Sequence, residues 1–146
     1  MSDLAQPIER FELKNANKWT RIEIVFYLPE SHKDFGWTIE MLAHMAHFPW
    51  NRNTFFGWYH TYTSLPPRAE LGSFQHILFL PPHFEGIQFD DLRLGGTSLH
   101  ILWGIPVLDA ELEFQKQYLG SALEKRLWPI LHATGPWFDP SRQSVV

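Results

Sequence analysis

From Trp19 to Leu28 the chain alternates, with Ile22, Ile24, Phe26 and Leu28 at every second place and Arg21, Glu23, Val25 and Tyr27 between them. Period two is the signature of a strand with one buried face, and Pro29 stops it. Trp37 to Phe48 changes to helical spacing. Ile39, Leu42, Met45 and Ala46 share a face, with Thr38 or Asp34 as the cap and Pro49 as the end. Asn51 to Asn53 is turn chemistry. Phe55 to Thr63 is β-prone but broken by Gly57, which predicts a bulge or a close backbone approach. Phe74 to Leu80 is a further strand, stopped by Pro81-Pro82. Residues 83–96 read as loop, with a short strand at Ile87 to Phe89 and a turn at Gly95-Gly96.

The longest organised stretch is Thr97 to Trp128. Leu99 to Ile105 is apolar except for His100, and Pro106 ends that strand or marks its edge. Asp109 stands where an N-cap is wanted, with Glu111 and Glu113 in the first turn, where the helix dipole favours them. Leu108, Leu112, Gln115 and Leu119 lie near one face. Gly120 is a stop, Ser121 a new cap, and Leu123 and Leu127 resume the stripe until Pro129. The order is strand, helix, several strands, then helices. It predicts an α+β fold, a mostly antiparallel sheet with helices packed on it, in a single domain over residues 1–146.

Composition narrows the function classes. Aromatic residues make up 16% of the chain, with seven Trp and twelve Phe. That is more than a core of this size needs, and points to a surface that holds another molecule. The net charge is −4 and there is no basic block, which disfavours a nucleic-acid partner. There is no cysteine, so disulfides, thiolate metal sites and a cysteine nucleophile are excluded. The first residues lack the pattern of a signal peptide, and no apolar run reaches the roughly 18 residues of a membrane helix. A cytoplasmic protein without a membrane partner is the expectation.

Candidate chemistry is thin. His44 and His47 are spaced i, i+3, and His60, His76 and His100 fall in strand candidates. No HExxH or His-x-His accompanies them, so scattered structural histidines outweigh a zinc site. Ser73, Ser98 and Ser121 are in no nucleophile elbow, and Gly95-Gly96-Thr97 lacks the P-loop pattern. Asp109, Glu111 and Glu113 need no catalytic explanation at a helix start. No cofactor, no metal and no catalytic residue is therefore expected. The segment Phe48 to Tyr62 stands out instead, with Phe48, Trp50, Phe55, Phe56, Trp58, Tyr59 and Tyr62 close together. A strand cannot bury all of these rings on one face, so either both faces are covered or some rings are exposed as anchors.

Several of these stretches together resemble the Suppressor of fused (SUFU) domain family. Met1-Ser2-Asp3-Leu4 resembles its G-[ML]-S-D-L segment. Asn53-Thr54-Phe55 through His60 resembles its E-N-T-F…G-x-H region. Gln75 to Leu78 with Pro81-Pro82 resembles the next strand. Leu102, Ile105, Pro106, Glu111 and Leu112 fall on its long strand and helix, and Gly135-Pro136-Trp137, Asp139 and Arg142 on its ending. The resemblance implies a non-enzymatic α+β binding domain. Animal members clamp an extended peptide of a transcription factor by added-strand pairing; many short bacterial members are immunity proteins against a partner toxin. A single short domain fits the bacterial type. The family's peptide contacts fall here around His47 and at Tyr59 and His60. His47 stands where animal members have tyrosine, and Tyr59 where they have aspartate, which departs from the animal specificity.

In the family, further strands precede the S-D-L segment, whereas this chain starts at it. If the first strands are lacking, a sheet edge or core face near Ile22 to Leu28 is expected to be uncovered. The expected function is protein binding without catalysis, with Trp50, Trp58 and Tyr59 as anchors beside His47 and His60. The partner is a toxin domain or an extended peptide, and the oligomeric state is open. A regulator of a transcription factor is the alternative in the same class, and a His-metal hydrolase the alternative in another.

Overall fold

A computed structural model describes residue 6 and residues 16–28, 36–63, 65–89, 92–132 and 141–146. The elements in chain order are β1 (Arg21–Val25), α1 (Gly36–Arg52), β2 (Thr61–Tyr62), β3 (His76–Leu80), β4 (Leu92–Leu94), β5 (Thr97–Val107), α2 (Asp109–Tyr118) and α3 (Ala122–Leu131). The strands form one mixed sheet in the order β1-β5-β3-β2, with β4 also paired to β5. β1 runs parallel to β5, from Arg21 opposite Leu99 to Val25 opposite Trp103. β2 is antiparallel to β3, and β4 to β5. Gly95 and Gly96 join β4 to β5 with φ of 58° and 84°, the paired positive φ values that a two-residue hairpin favours. This is the expected α+β architecture with a mostly antiparallel sheet. Parallel pairing of β1 is its new feature, because alternation reports buried faces and not strand direction.

The chain divides into two compact units. One comprises Met1–Val25, His32–Trp58 and Pro81–Trp103; the other Phe26–Ser31, Tyr59–Leu80 and Gly104–Val146. In the first, α1 buries Trp37, Met41, Met45 and Pro49, a stripe that repeats every fourth residue. Phe56, Leu102 and Trp103 are buried in the same unit. In the second, β3 is apolar along nearly its whole length and buried from Ile77 to Leu80, as a strand covered on both faces must be. Ile105, Val107, Leu112, Leu123, Leu127 and Leu131 join that core.

Several boundaries differ from those the sequence predicts. The buried stripe of α1 excludes Ile39, which is 66% exposed, because the stripe is set by Trp37 and Met41. Pro49 lies inside α1, and the helix continues to Arg52. A proline there removes one N–H, that which would reach the Met45 carbonyl, and leaves the final turn intact. β5 likewise passes through Pro106 to Val107. β1's register ends at Trp103, short of Pro106, so no ladder bond to β1 is lost. Pro129 sits inside α3 rather than ending it. Only Thr61 and Tyr62 form a strand in the segment from Phe55 to Thr63, and Ile87–Phe89 is a 3-10 turn. Leu108, not Asp109, is the N-cap of α2. Leu119 leaves the apolar face of α2 because its φ of 53° turns the chain away, and it is 67% exposed. Pro29, Asp34, the Met1–Leu4 segment and residues 135–139 lie outside the described residues.

Candidate functional site

The first unit carries a cavity of about 270 Å³ beside β1, lined by Ile22, Glu23 and Ile24 from the strand, Leu42, Met45, Ala46, Pro49 and Trp50 from α1, and Gln6. Three consecutive strand residues line it, although neighbouring side chains on a strand point to opposite faces, so the cavity runs along the strand's backbone edge. Among the described residues β1 ends the strand order of the sheet. On the helix side, Leu42, Met45, Ala46, Pro49 and Trp50 follow the i, i+3, i+4 spacing of one face.

Gln6 fixes one wall. Its side-chain amide accepts from the Phe56 N–H (2.7 Å) and donates to the Phe56 carbonyl (3.1 Å) and the Trp19 carbonyl (2.6 Å). Its own backbone N–H donates to Thr20 (2.8 Å). The buried glutamine thus completes backbone groups as a strand neighbour would. Beneath the wall, Trp19 lies edge-on to Trp58 and tilted against His100, with ring centroids 5.2 and 4.5 Å apart. The Trp58 indole N–H donates to the Ile101 carbonyl of β5 (3.1 Å). The Trp19 ring also covers Gly57, where an added Cβ would stand 3.5 Å from it. That is ordinary van der Waals contact, so a side chain would fit there and the close approach predicted at Gly57 is not found.

The five sequence-predicted site residues divide by environment. His47 and Trp50 lie one helical turn apart on α1 and are both exposed, and Trp50 lines the cavity. Trp58 is half-buried, its indole committed to β5. Tyr59 and His60 belong to the second unit, where both are half-buried. Tyr59 holds a φ of 67°, unusual for so bulky a residue. Its N–H donates to Phe79 (2.6 Å), its carbonyl accepts from Gln115 (3.0 Å) and its hydroxyl donates to Glu124 (3.3 Å). The His60 carbonyl accepts from the Phe79 N–H (2.9 Å). Of the aromatic segment, Phe56 and Tyr62 are core, and Trp50 presents the most exposed ring.

Two clusters in the second unit escaped the sequence reading. Glu111 is fully buried and receives both guanidinium nitrogens of Arg142 (2.6 and 2.8 Å), the Leu108 N–H (3.0 Å) and the Val145 N–H (3.1 Å). Arg142 also donates to the Pro106 carbonyl (3.1 Å) and lies over the Phe74 ring. Its placement among the family's closing residues was the signal available. The other is His76, whose Nε2 meets Asp109 at 2.9 Å. Among the described residues no three His, Asp or Glu side chains gather in a group that could hold a metal ion.

This arrangement has relatives. The sequence matches the profile of the family described as Suppressor of fused protein (SUFU) over residues 1–143. The chain belongs to the Suppressor of fused family. A SUFU homolog from Neisseria gonorrhoeae superposes with a TM-score of 0.68 at 22% identity, over 86% of this chain and 63% of that one. Drosophila Suppressor of Fused gives 0.59 at 16% identity, over 80% and 27%. The protein solved as the Sufu–Fu complex gives 0.61 at 15%, over 80% and 48%. This chain therefore spans less than two thirds of each of these relatives, and at such identities the likeness shows a shared fold. No curated protein matches the chain. SUFU domains form a family of non-catalytic protein-interaction domains, and no described helix is long and apolar enough to cross a membrane.

Proposed function

We propose that this SUFU domain is an immunity protein, which binds a partner toxin domain in the cytoplasm and neutralises it by occlusion. Family membership and a relative solved in complex with a protein partner support the binding role. The observation that carries the site is the cavity along β1, where the strand that ends the sheet order among the described residues and an exposed tryptophan border the same space. A strand edge offers backbone pairing, and Trp50 is the residue type that anchors interfaces. His47, one turn away on α1, extends the same surface. Tyr59 and His60 enter through the family resemblance and Trp58 through the aromatic segment, and all three are tested alongside.

Co-expression is the test. The toxin domain encoded beside this gene stops growth, and this chain restores it. Trp50→Ala reduces the rescue while leaving the circular dichroism spectrum unchanged. Failure of the intact chain to rescue growth overturns the immunity role. Capture of a DNA-binding regulator, with no toxin bound, favours the alternative of a transcription-factor regulator. Zinc in the purified protein, with a hydrolytic activity lost in His44→Ala and His47→Ala, favours the hydrolase alternative.

A further inference from the structure

Every carboxylate of α2 and α3 is engaged within the second unit. Asp109 meets His76, and Glu111 is held by Arg142. Glu113 pairs with Lys116 (2.7 Å), and the buried Glu124 accepts from the Tyr59 hydroxyl. Two cations of α3 are left over. Lys125 and Arg126 are both exposed, and among the described residues neither has an ion pair. The Arg126 guanidinium lies over the Phe114 ring, 5.8 Å from its centroid. A ring beneath the flat guanidinium restrains the side chain and leaves the N–H edges open, so the cation is held in place before any anion arrives. Apolar surface adjoins it. Phe114 touches the Tyr118 ring, with centroids 4.5 Å apart, and Tyr118 and Leu119 are 57% and 67% exposed. Leu119 is displayed at a cost, because its φ of 53° is one that glycine takes freely and leucine does not. Strain of this kind gathers where a side chain must be held out for a ligand.

We propose that the corner between α2 and α3 is a docking site for an acidic segment of a protein partner, one that carries an apolar side chain among its carboxylates. The carboxylates meet Arg126 and Lys125, and the apolar side chain lies on Leu119 and Tyr118. Charge complementarity decides among occupants. A basic segment is repelled by the two uncompensated cations, and a neutral one leaves them unused. Two cations beside an apolar patch fall short of the basic face that a nucleic-acid backbone needs. The inference goes beyond the proposed function. It uses none of the residues named for that reading and holds whether or not a toxin is bound.

The probe is the peptide acetyl-Glu-Leu-Glu-amide, titrated into the full chain while the Leu119 methyl resonances are followed by NMR. Acetyl-Gln-Leu-Gln-amide, which keeps the shape and loses the charge, is the control. The expected result is a saturable shift of the Leu119 methyls with the acidic peptide, and a response to the neutral peptide weaker by about fivefold or more. Lys125→Gln with Arg126→Gln, both at exposed positions, weakens binding of the acidic peptide by a similar factor with the spectrum otherwise native. In Leu119→Gly, followed through the Tyr118 ring resonances, binding weakens while the melting temperature rises, a pair of effects that a purely structural leucine does not give. No response to the acidic peptide, equal responses to the two peptides, or a response unaltered in the Lys125 and Arg126 variant overturns the proposal. A Leu119 shift that follows the concentration of the chain itself, without peptide, also overturns it and assigns the corner to a second copy.

Discussion

Gly104 stands within β5 at a point where the Phe26 ring occupies the space of a side chain, so an added Cβ would overlap the ring. Gly104→Ala is expected to destabilise the fold by about 1–3 kcal/mol, read as a lower urea midpoint, and Phe26→Leu in the same chain should recover part of the loss. Glu111 shows what a sequence leaves out. Its place at a helix start is explained by the dipole, and its Leu108 contact agrees with that reading. Its full burial depends on Arg142, far away in the chain, and no local pattern shows that. Arg142→Ala removes the only charged partner that Glu111 is seen to have among the described residues. The expected cost is about 3–5 kcal/mol, whereas Glu111→Met with Arg142→Met costs much less, because the second change removes the stranded charge. Equal losses in the single and double variants would contradict this account.

Among the elements, β3, α2 and α3 were legible because runs of apolar residues and helix spacing are local signals. Prolines misled at three places for a common reason. Each of Pro49, Pro106 and Pro129 removes a single donor, and the sequence does not say whether that donor was needed. The corner between α2 and α3 makes the opposite case. Leu119 adopts φ 53° and ψ 178°, a region nearly reserved for glycine, and its side chain is largely in water. Leu119→Gly is expected to raise the melting temperature, by relief of about 1 kcal/mol, because glycine takes this conformation without strain. A lower melting temperature would mean that this leucine packs against something in solution.

For the whole molecule, the fold class and family were readable from ordered motifs, and the candidate surface only in part. Trp50 was picked out by residue type. Gln6 and Glu23 were not, because a cavity edge is made by elements distant in sequence, and neither residue has a local pattern. Binding gives a whole-chain prediction. A toxin domain present at about a hundred times its dissociation constant stabilises the native chain by about 2.7 kcal/mol. A thermal melt should show this as an upward shift that Trp50→Ala diminishes, and no shift at saturating toxin would speak against the complex.

The parallel pairing of β1 with β5 also sets an order of assembly. β4 and β5 are joined by two glycines and meet with almost no loop to close, whereas β1 must find β5 across most of the intervening chain. Loop-closure entropy makes such a contact late in folding. The chain thus forms its β4–β5 hairpin before β1 joins the sheet. Amide protons of β1 are expected to exchange with solvent sooner than those of β5, and a partner seated beside β1 would slow that exchange first.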